Sequence, residues 1–277
     1  MSLHERAMLI TLSVSCWTGA RKDDAVVAEI DAKHNAVNSG RFSKYLVDKN
    51  ELEECAAYSR AIRAYHYKMT LPWMDNGARL LPAANFSDYS AELRKMRDEY
   101  TRLVIKFLDR YETVLKPAAQ TRLGTLYNPQ DYPGRADLHA KFGIETDIMP
   151  VPNSADFRVA VGDAERQRIQ AELDQRIKTR QAQAVADAWK RVRDVVSNVH
   201  LRLSAEKTIL RESLIENAAE LARLLPGLNV TQDEKMAQVA KDIADHLVVD
   251  MATLRRSRRE RLRVADAAAR ILDKVPA

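Results

Sequence analysis

Six arginines fall within nine residues: Arg255, Arg256, Arg258, Arg259, Arg261 and Arg263. Guanidinium groups at this density are suited to binding a polyanion, because each neutralised phosphate releases condensed counterions. Residues 251–277 add Arg270 and Lys274 against Glu260, Asp266 and Asp273, a balance of +5 that equals the net charge of the whole chain. The rest of the protein is therefore neutral, and the polyanion hint belongs to one end of the sequence. On a helix, Arg255, Arg258 or Arg259, and Arg263 share one side. Arg256, Arg259 and Arg263 also follow three-and-four spacing, while Arg256 and Arg261 spread charge around the cylinder. An acidic protein groove would use the same helix. Pairing with acids elsewhere in the chain is the structural alternative.

A second cluster mixes aromatic and cationic side chains. His66, Tyr67, Lys68, Trp73 and Arg79 surround Asn76-Gly77, a tight-turn dipeptide whose residues tolerate positive φ. Aromatics stack on unpaired bases while cations meet phosphates. The competing role is structural, with Tyr67 and Trp73 packing a hairpin on the core and Arg79 pairing with an acid. Pro72 and Pro82 confine the hairpin to an edge or a bulge, since neither donates to a ladder.

Other chemistry has weaker support. No GxxxxGK[ST] or GxGxxG phosphate loop occurs, and eight glycines leave little room for a nucleotide cradle. The six histidines are scattered without HExxH spacing, so neither a metal nor a cofactor is expected. Carboxylates are mostly interleaved with bases along helices, the pattern of solvated faces. An enzyme assembled from such dispersed acids ranks last, and the expected function is non-enzymatic. Cys16 lies on the apolar face of a strand and reads as a buried small hydrophobe rather than a nucleophile. Two cysteines without CxxC spacing fit a reducing, cytoplasmic setting. No apolar run of about 18 residues exists, so no membrane partner is expected.

The elements that position these residues follow from punctuation and periodicity. Seven of the nine prolines lie at 72–152, and residues 163–225 contain neither Gly nor Pro. The contrast divides the chain into a mixed α/β region, 1–161, and a helical region, 162–277, that ends in the basic helix. Strands are expected near 9–17, 41–47, in the hairpin at 69–81 and at 156–161; residues 124–157 otherwise read as loops around short elements. Helical spacing starts at Val27, and Asp48 with Glu51 predicts a capped helix over 50–68. Leu93, Met96, Tyr100, Leu103, Phe107, Tyr111 and Val114 predict a helix over 88–115 that Pro117 ends. Trp189, Val192, Val196, Val199 and Leu203 step 3-4-3-4 within a helix over 163–203, a seam that needs a partner in this chain or another copy. Further helices are expected at 205–225, stopped by Pro226-Gly227; at 232–248, capped by Thr231 and Glu234; and at 251–274. The fold expected is α+β and predominantly helical: a small antiparallel sheet with packed helices, followed by long C-terminal helices in a bundle or arm.

Three stretches together resemble a family of uncharacterised proteins encoded by tailed phages and integrative elements of proteobacteria. They are Val14-Ser15-Cys16-Trp17-Thr18-Gly19; Thr70-Leu71-Pro72-Trp73 with Arg79-Leu80-Leu81-Pro82-Ala83-Ala84-Asn85; and Leu123-Gly124-Thr125-Leu126-Tyr127 with Asp131-Tyr132-Pro133. The resemblance spans nearly the whole chain and carries no catalytic residues onto it. Its genetic setting implies DNA metabolism, in recombination or single-strand handling. The expectation is thus an accessory protein binding single-stranded or duplex DNA through 255–263, with stacking by Trp73 and Tyr67. The other class is a self-associating scaffold or adaptor, working with a partner ATPase, whose basic helix docks an acidic surface.

Overall fold

The computed structural model describes residues 3–75, 77–153 and 162–276. It is α+β and predominantly helical, with a small antiparallel sheet. In chain order the helices and strands are α1 (Leu3–Arg6), β1 (Ala7–Ser15), β2 (Ala20–Lys22), α2 (Asp24–His34), β3 (Ser43–Tyr45), α3 (Lys49–Met69), β4 (Leu71–Pro72), β5 (Arg79–Pro82), α4 (Phe86–Arg110), α5 (Lys116–Leu123), α6 (Arg135–His139), β6 (Gly143–Pro150), α7 (Asp163–Ser204), α8 (Ser213–Leu228), α9 (Glu234–His246), α10 (Met251–Arg256) and α11 (Arg258–Leu272). A four-stranded sheet has the order β4-β5-β1-β6, and β2 pairs with β3 separately. The hairpin forms as expected: Leu71 faces Leu80 and Pro72 faces Arg79 across β4–β5. Gly77 takes φ +95°, a conformation open to glycine, and its N–H donates to Met74 O. Asn76 and the strand expected at 156–161 lie outside the described residues. The sheet's fourth strand is β6, which falls in a stretch expected to be loops and short elements.

Two compact units are drawn from separate stretches of chain: residues 1–11, 67–89 and 147–277 form one, and 12–66 with 90–146 the other. The compositional division at 161/162 follows glycine and proline content, a different property from packing.

In the second of these units, an aromatic group forms where Trp17 meets Phe107 and Tyr111, and Phe107 meets Phe142, with ring centroids 5.8–6.2 Å apart. The phenol of Tyr100 donates to Ser15 O at 2.6 Å. Lys44 is buried and pairs with both Asp23 and Asp131 at 2.8 Å, while donating to Leu126 O. Burial alone would lower the ammonium's pKa, but the bonds to Asp131 and Asp23 outweigh it and raise it. Helix α4 does not end at Pro117. A π-turn at Tyr111–Leu115 carries it into α5. Pro117 stands in the first turn of α5, directly after the π-turn.

In the other unit α7 runs 42 residues, roughly 60 Å at about 1.5 Å per residue. Its buried side chains are Ala184, Ala188, Trp189, Val192, Val196, Val199 and Leu203. The expected seam is thus real, and its partners belong to the same chain: α7 packs mainly on α11 and α8. Val264, Ala265, Ala267, Ala268 and Ile271 form the buried face of α11. The three alanines let the helices approach closely, and His200 Nδ1 lies 2.9 Å from Ala265 O.

Four boundaries in this unit differ from expectation. Helix α8 begins at Ser213 rather than 205 and continues through Pro226 to Leu228. Leu224, Leu225 and Leu228 are buried, so core packing holds the last turn against proline's local penalty. Asp233, not Thr231, caps α9 by accepting from Lys235 N. The basic helix expected at 251–274 is two helices. Ser257 leaves helical geometry at φ −120°, ψ 109° and its hydroxyl caps α11 by accepting from Glu260 N.

Candidate nucleic-acid interface

The break at Ser257 divides the arginine cluster. Arg255 and Arg256 occupy the last turn of α10, where cations complement the helix dipole. Arg258, Arg259, Arg261 and Arg263 fall in the first turns of α11, where the dipole disfavours them. Such placement needs anionic company. Part comes from acids of the chain: Arg255 Nη1 is 2.7 Å from Glu212, Arg258 3.2 Å from Glu206, and Arg263 2.8 Å from Glu260. These contacts are exposed and worth a few tenths of a kcal/mol up to ~1 each. Arg256 and Arg259 are exposed and make no ion pair within 4 Å among the described residues. Arg261 is half-buried, and its Nε is shielded from solvent without a hydrogen bond there.

Glu206 and Glu212 lie on the connection between α7 and α8, residues 205–212. Arg255 also donates to Leu210 O at 3.0 Å. The α10–α11 junction is thereby fastened to this connection, and three more cations join the surface: Arg202 at the end of α7, Lys207, and Arg211. All three are exposed and have no ion pair among the described residues. Nearby, Ile209 is 85% exposed, an apolar side chain held out among cations. This segment is disguised in the sequence because Leu203 and Leu210 are seven apart. That spacing continues the helical period across a stretch that is not helical. The usable signal was Ser204-Ala205-Glu206-Lys207-Thr208, five residues without a large apolar side chain between two strongly patterned helices.

The aromatic–cation stretch is engaged in structure. Trp73 is 3% exposed, so as placed it offers no face to a base. This corrects the stacking expectation for Trp73, whose indole fills the core where the chain turns through the hairpin. Arg79 lies over the Tyr67 ring at 4.7 Å, donates from Nε to Thr70 Oγ1 at 2.7 Å, and reaches Thr70 O. Burial lowers the Arg79 pKa, with neighbouring Arg191 adding to the effect. Lys68 pairs with Glu220. Tyr67 keeps 54% of its surface exposed. Arg191 explains the arrangement: its guanidinium donates to Tyr67 O, Lys68 O and Thr70 O at 2.7–3.0 Å while its Nε holds Asp187. Carbonyls at a helix C-terminus lack intrahelical donors, and Arg191 supplies them for α3. The arginines at the α10–α11 junction and the connection at 202–211 are thus brought together; the cluster around Trp73 serves the hairpin and the end of α3.

Among the described residues, no group of three or more His, Cys, Asp or Glu side chains is placed to hold a metal, and no helix is long and apolar enough to cross a membrane. Comparison with protein-family models, curated proteins and solved structures gives no significant match.

Proposed function

We propose that the protein binds nucleic acid, as a non-enzymatic accessory factor, through the basic surface formed by the α10–α11 junction and residues 202–211. One observation carries this reading: the unpaired cations Arg256 and Arg259 lie on the segment that Arg255 and Arg258 fasten to a connection carrying three further unpaired cations. A surface built for internal pairing would match each base with an acid. Here Arg202, Lys207, Arg211, Arg256 and Arg259 all lack an ion pair among the described residues. The resemblance read from 14–19, from 70–73 with 79–85 and from 123–127 with 131–133 to phage and mobile-element proteins favours a cytoplasmic role in DNA metabolism, in recombination or single-strand handling.

The test is fluorescence anisotropy of labelled single-stranded and duplex oligonucleotides at two salt concentrations. Arg256→Ala/Arg259→Ala removes no ion pair within 4 Å among the described residues. It is expected to weaken binding to both forms by about tenfold or more at low salt and to flatten the salt dependence by one to two units of slope, at ~0.7–0.9 per phosphate contact. Absence of wild-type binding at low salt would overturn the reading.

A second reading, self-association, has one observation in its favour. No residue of 163–183 in α7 is fully buried, although Ile169, Leu173 and Ile177 step by four and are half-covered. Concentration-dependent assembly in light scattering, unchanged by DNA, would favour it.

A further inference from the structure

Between the end of α7 and the start of α8 lies a cleft of about 470 Å³, within the ~300–1,000 Å³ range of small-ligand sites. Arg202, Lys207 and Arg211 line it together with Asn198, Thr208 and Asn217. No acidic side chain lines it among the described residues. Three positive charges around one concavity repel each other, so the arrangement is stable only against solvent or an anion. The uncharged polar side chains of the lining are the carboxamides of Asn198 and Asn217 and the hydroxyls of Thr208 and Ser213, each able to donate a hydrogen bond. The Thr208 Oγ1 atom is shut off from solvent and has no hydrogen-bond partner, an unfavourable state for a buried hydroxyl. Turned into the cleft by rotation about χ1, this hydroxyl would donate to a phosphate oxygen, and the cations around it would balance the charge.

We propose that this cleft is a phosphate-binding subsite that takes one backbone phosphate of a bound nucleic-acid strand. The inference rests on the proposed function for the source of the phosphate, and on the cleft alone for the phosphate chemistry. Arg211 stands between Leu210 and Glu212, the two residues that Arg255 holds. A strand seated in the cleft therefore continues toward the α10–α11 junction, with exposed Ile209 beside it to meet a sugar or base.

Two probes separate the parts. Inorganic phosphate is titrated against the wild type, against Arg202→Gln/Lys207→Gln/Arg211→Gln, and against Thr208→Val, following the thermal midpoint with chloride at matched ionic strength. A labelled single-stranded oligonucleotide is titrated against the same proteins and Arg256→Ala/Arg259→Ala. Phosphate is expected to raise the wild-type midpoint and to leave those of the triple variant and Thr208→Val unmoved. Oligonucleotide affinity should fall by about tenfold or more in the triple variant, with a salt slope lower by about 0.7, the share of one single-strand phosphate. In Thr208→Val it should fall about threefold to tenfold, with the slope kept, because no charge is lost. Ligand-free Thr208→Val should be at least as heat-stable as wild type, since a buried unbonded hydroxyl is replaced by a methyl of the same shape. If both cleft variants bind both probes like the wild type, the inference fails. If oligonucleotide binding is lost in Arg256→Ala/Arg259→Ala and intact in the cleft variants, the proposed function stands and the cleft does not. If phosphate shifts the midpoint through the cleft and no oligonucleotide binds, the phosphate chemistry stands and the nucleic-acid reading falls.

Discussion

At the scale of single residues, the surface arginines differ in kind although the sequence presents them as one run. Arg255 and Arg258 fasten a junction; Arg256 and Arg259 face solvent. A substitution of all of them would mix loss of binding with loss of structure. Asp242 shows what a structural charge looks like here. Its carboxylate, mostly buried, accepts from Lys274 Nζ at 2.6 Å and Gln238 Nε2 at 2.8 Å. Burial pushes its pKa up, but the ammonium and carboxamide outweigh that and hold it below the ordinary value. A depressed carboxylate contributes stability that is fully present above the unfolded pKa, about 3.9, and is lost as pH falls through the folded value. The thermal midpoint should therefore fall on acidification below about pH 4, and Lys274→Met should lower the neutral-pH midpoint while reducing that acid-dependent loss. A parallel acid profile in the two proteins would remove the pair from the account.

At the scale of elements, most of the helices and the hairpin were legible because periodicity and turn chemistry agree. The α7 seam, the α3 span and the β4–β5 hairpin each have a local cause written in adjacent residues. The errors have physical reasons. Burial of Leu225 and Leu228 carries α8 past Pro226, a π-turn carries α4 past its expected stop, and Leu203 with Leu210 disguises the break at 205–212. The site was half legible: arginine density marked the junction, but only folding brings Arg202, Lys207 and Arg211 to it. Trp73 looked like a stacking platform because sequence shows residue type and not exposure. Ser257 is the element-level hinge of the site. Ser257→Ala removes the hydroxyl that accepts from Glu260 N, and should cost ~1 kcal/mol in denaturant unfolding. If the junction geometry matters, oligonucleotide affinity will fall as well; unchanged affinity at reduced stability would make the break incidental to binding.

At the scale of the whole molecule, the charge is distributed unevenly: the net +5 resides in residues 251–277, and those residues also carry the face of α11 that closes on α7. The basic surface and the core therefore share one segment, and deleting residues 251–277 would test folding rather than the proposed binding. The chain's α+β class was foreseeable from its punctuation, whereas the pairing of early and late residues was not, since no local pattern encodes a distant partner. Arg6 Nη1 donates to Val230 O at 3.3 Å across a sequence separation of 224, and Ala7–Ile10 pair with residues 79–82. Helical proteins usually fold fast because their contacts are local. Here a mostly helical unit closes very long loops before its first strand is in place, and each loop's entropy must be lost before the contacts that reward it form. Stopped-flow refolding should show α-helix signal recovering well before the burial of Trp189, with the slower step on the millisecond-to-second scale of sheet-rich proteins. The helix content of this chain is thus a poor guide to its kinetics: the expected pace is set by contacts between residues far apart in sequence.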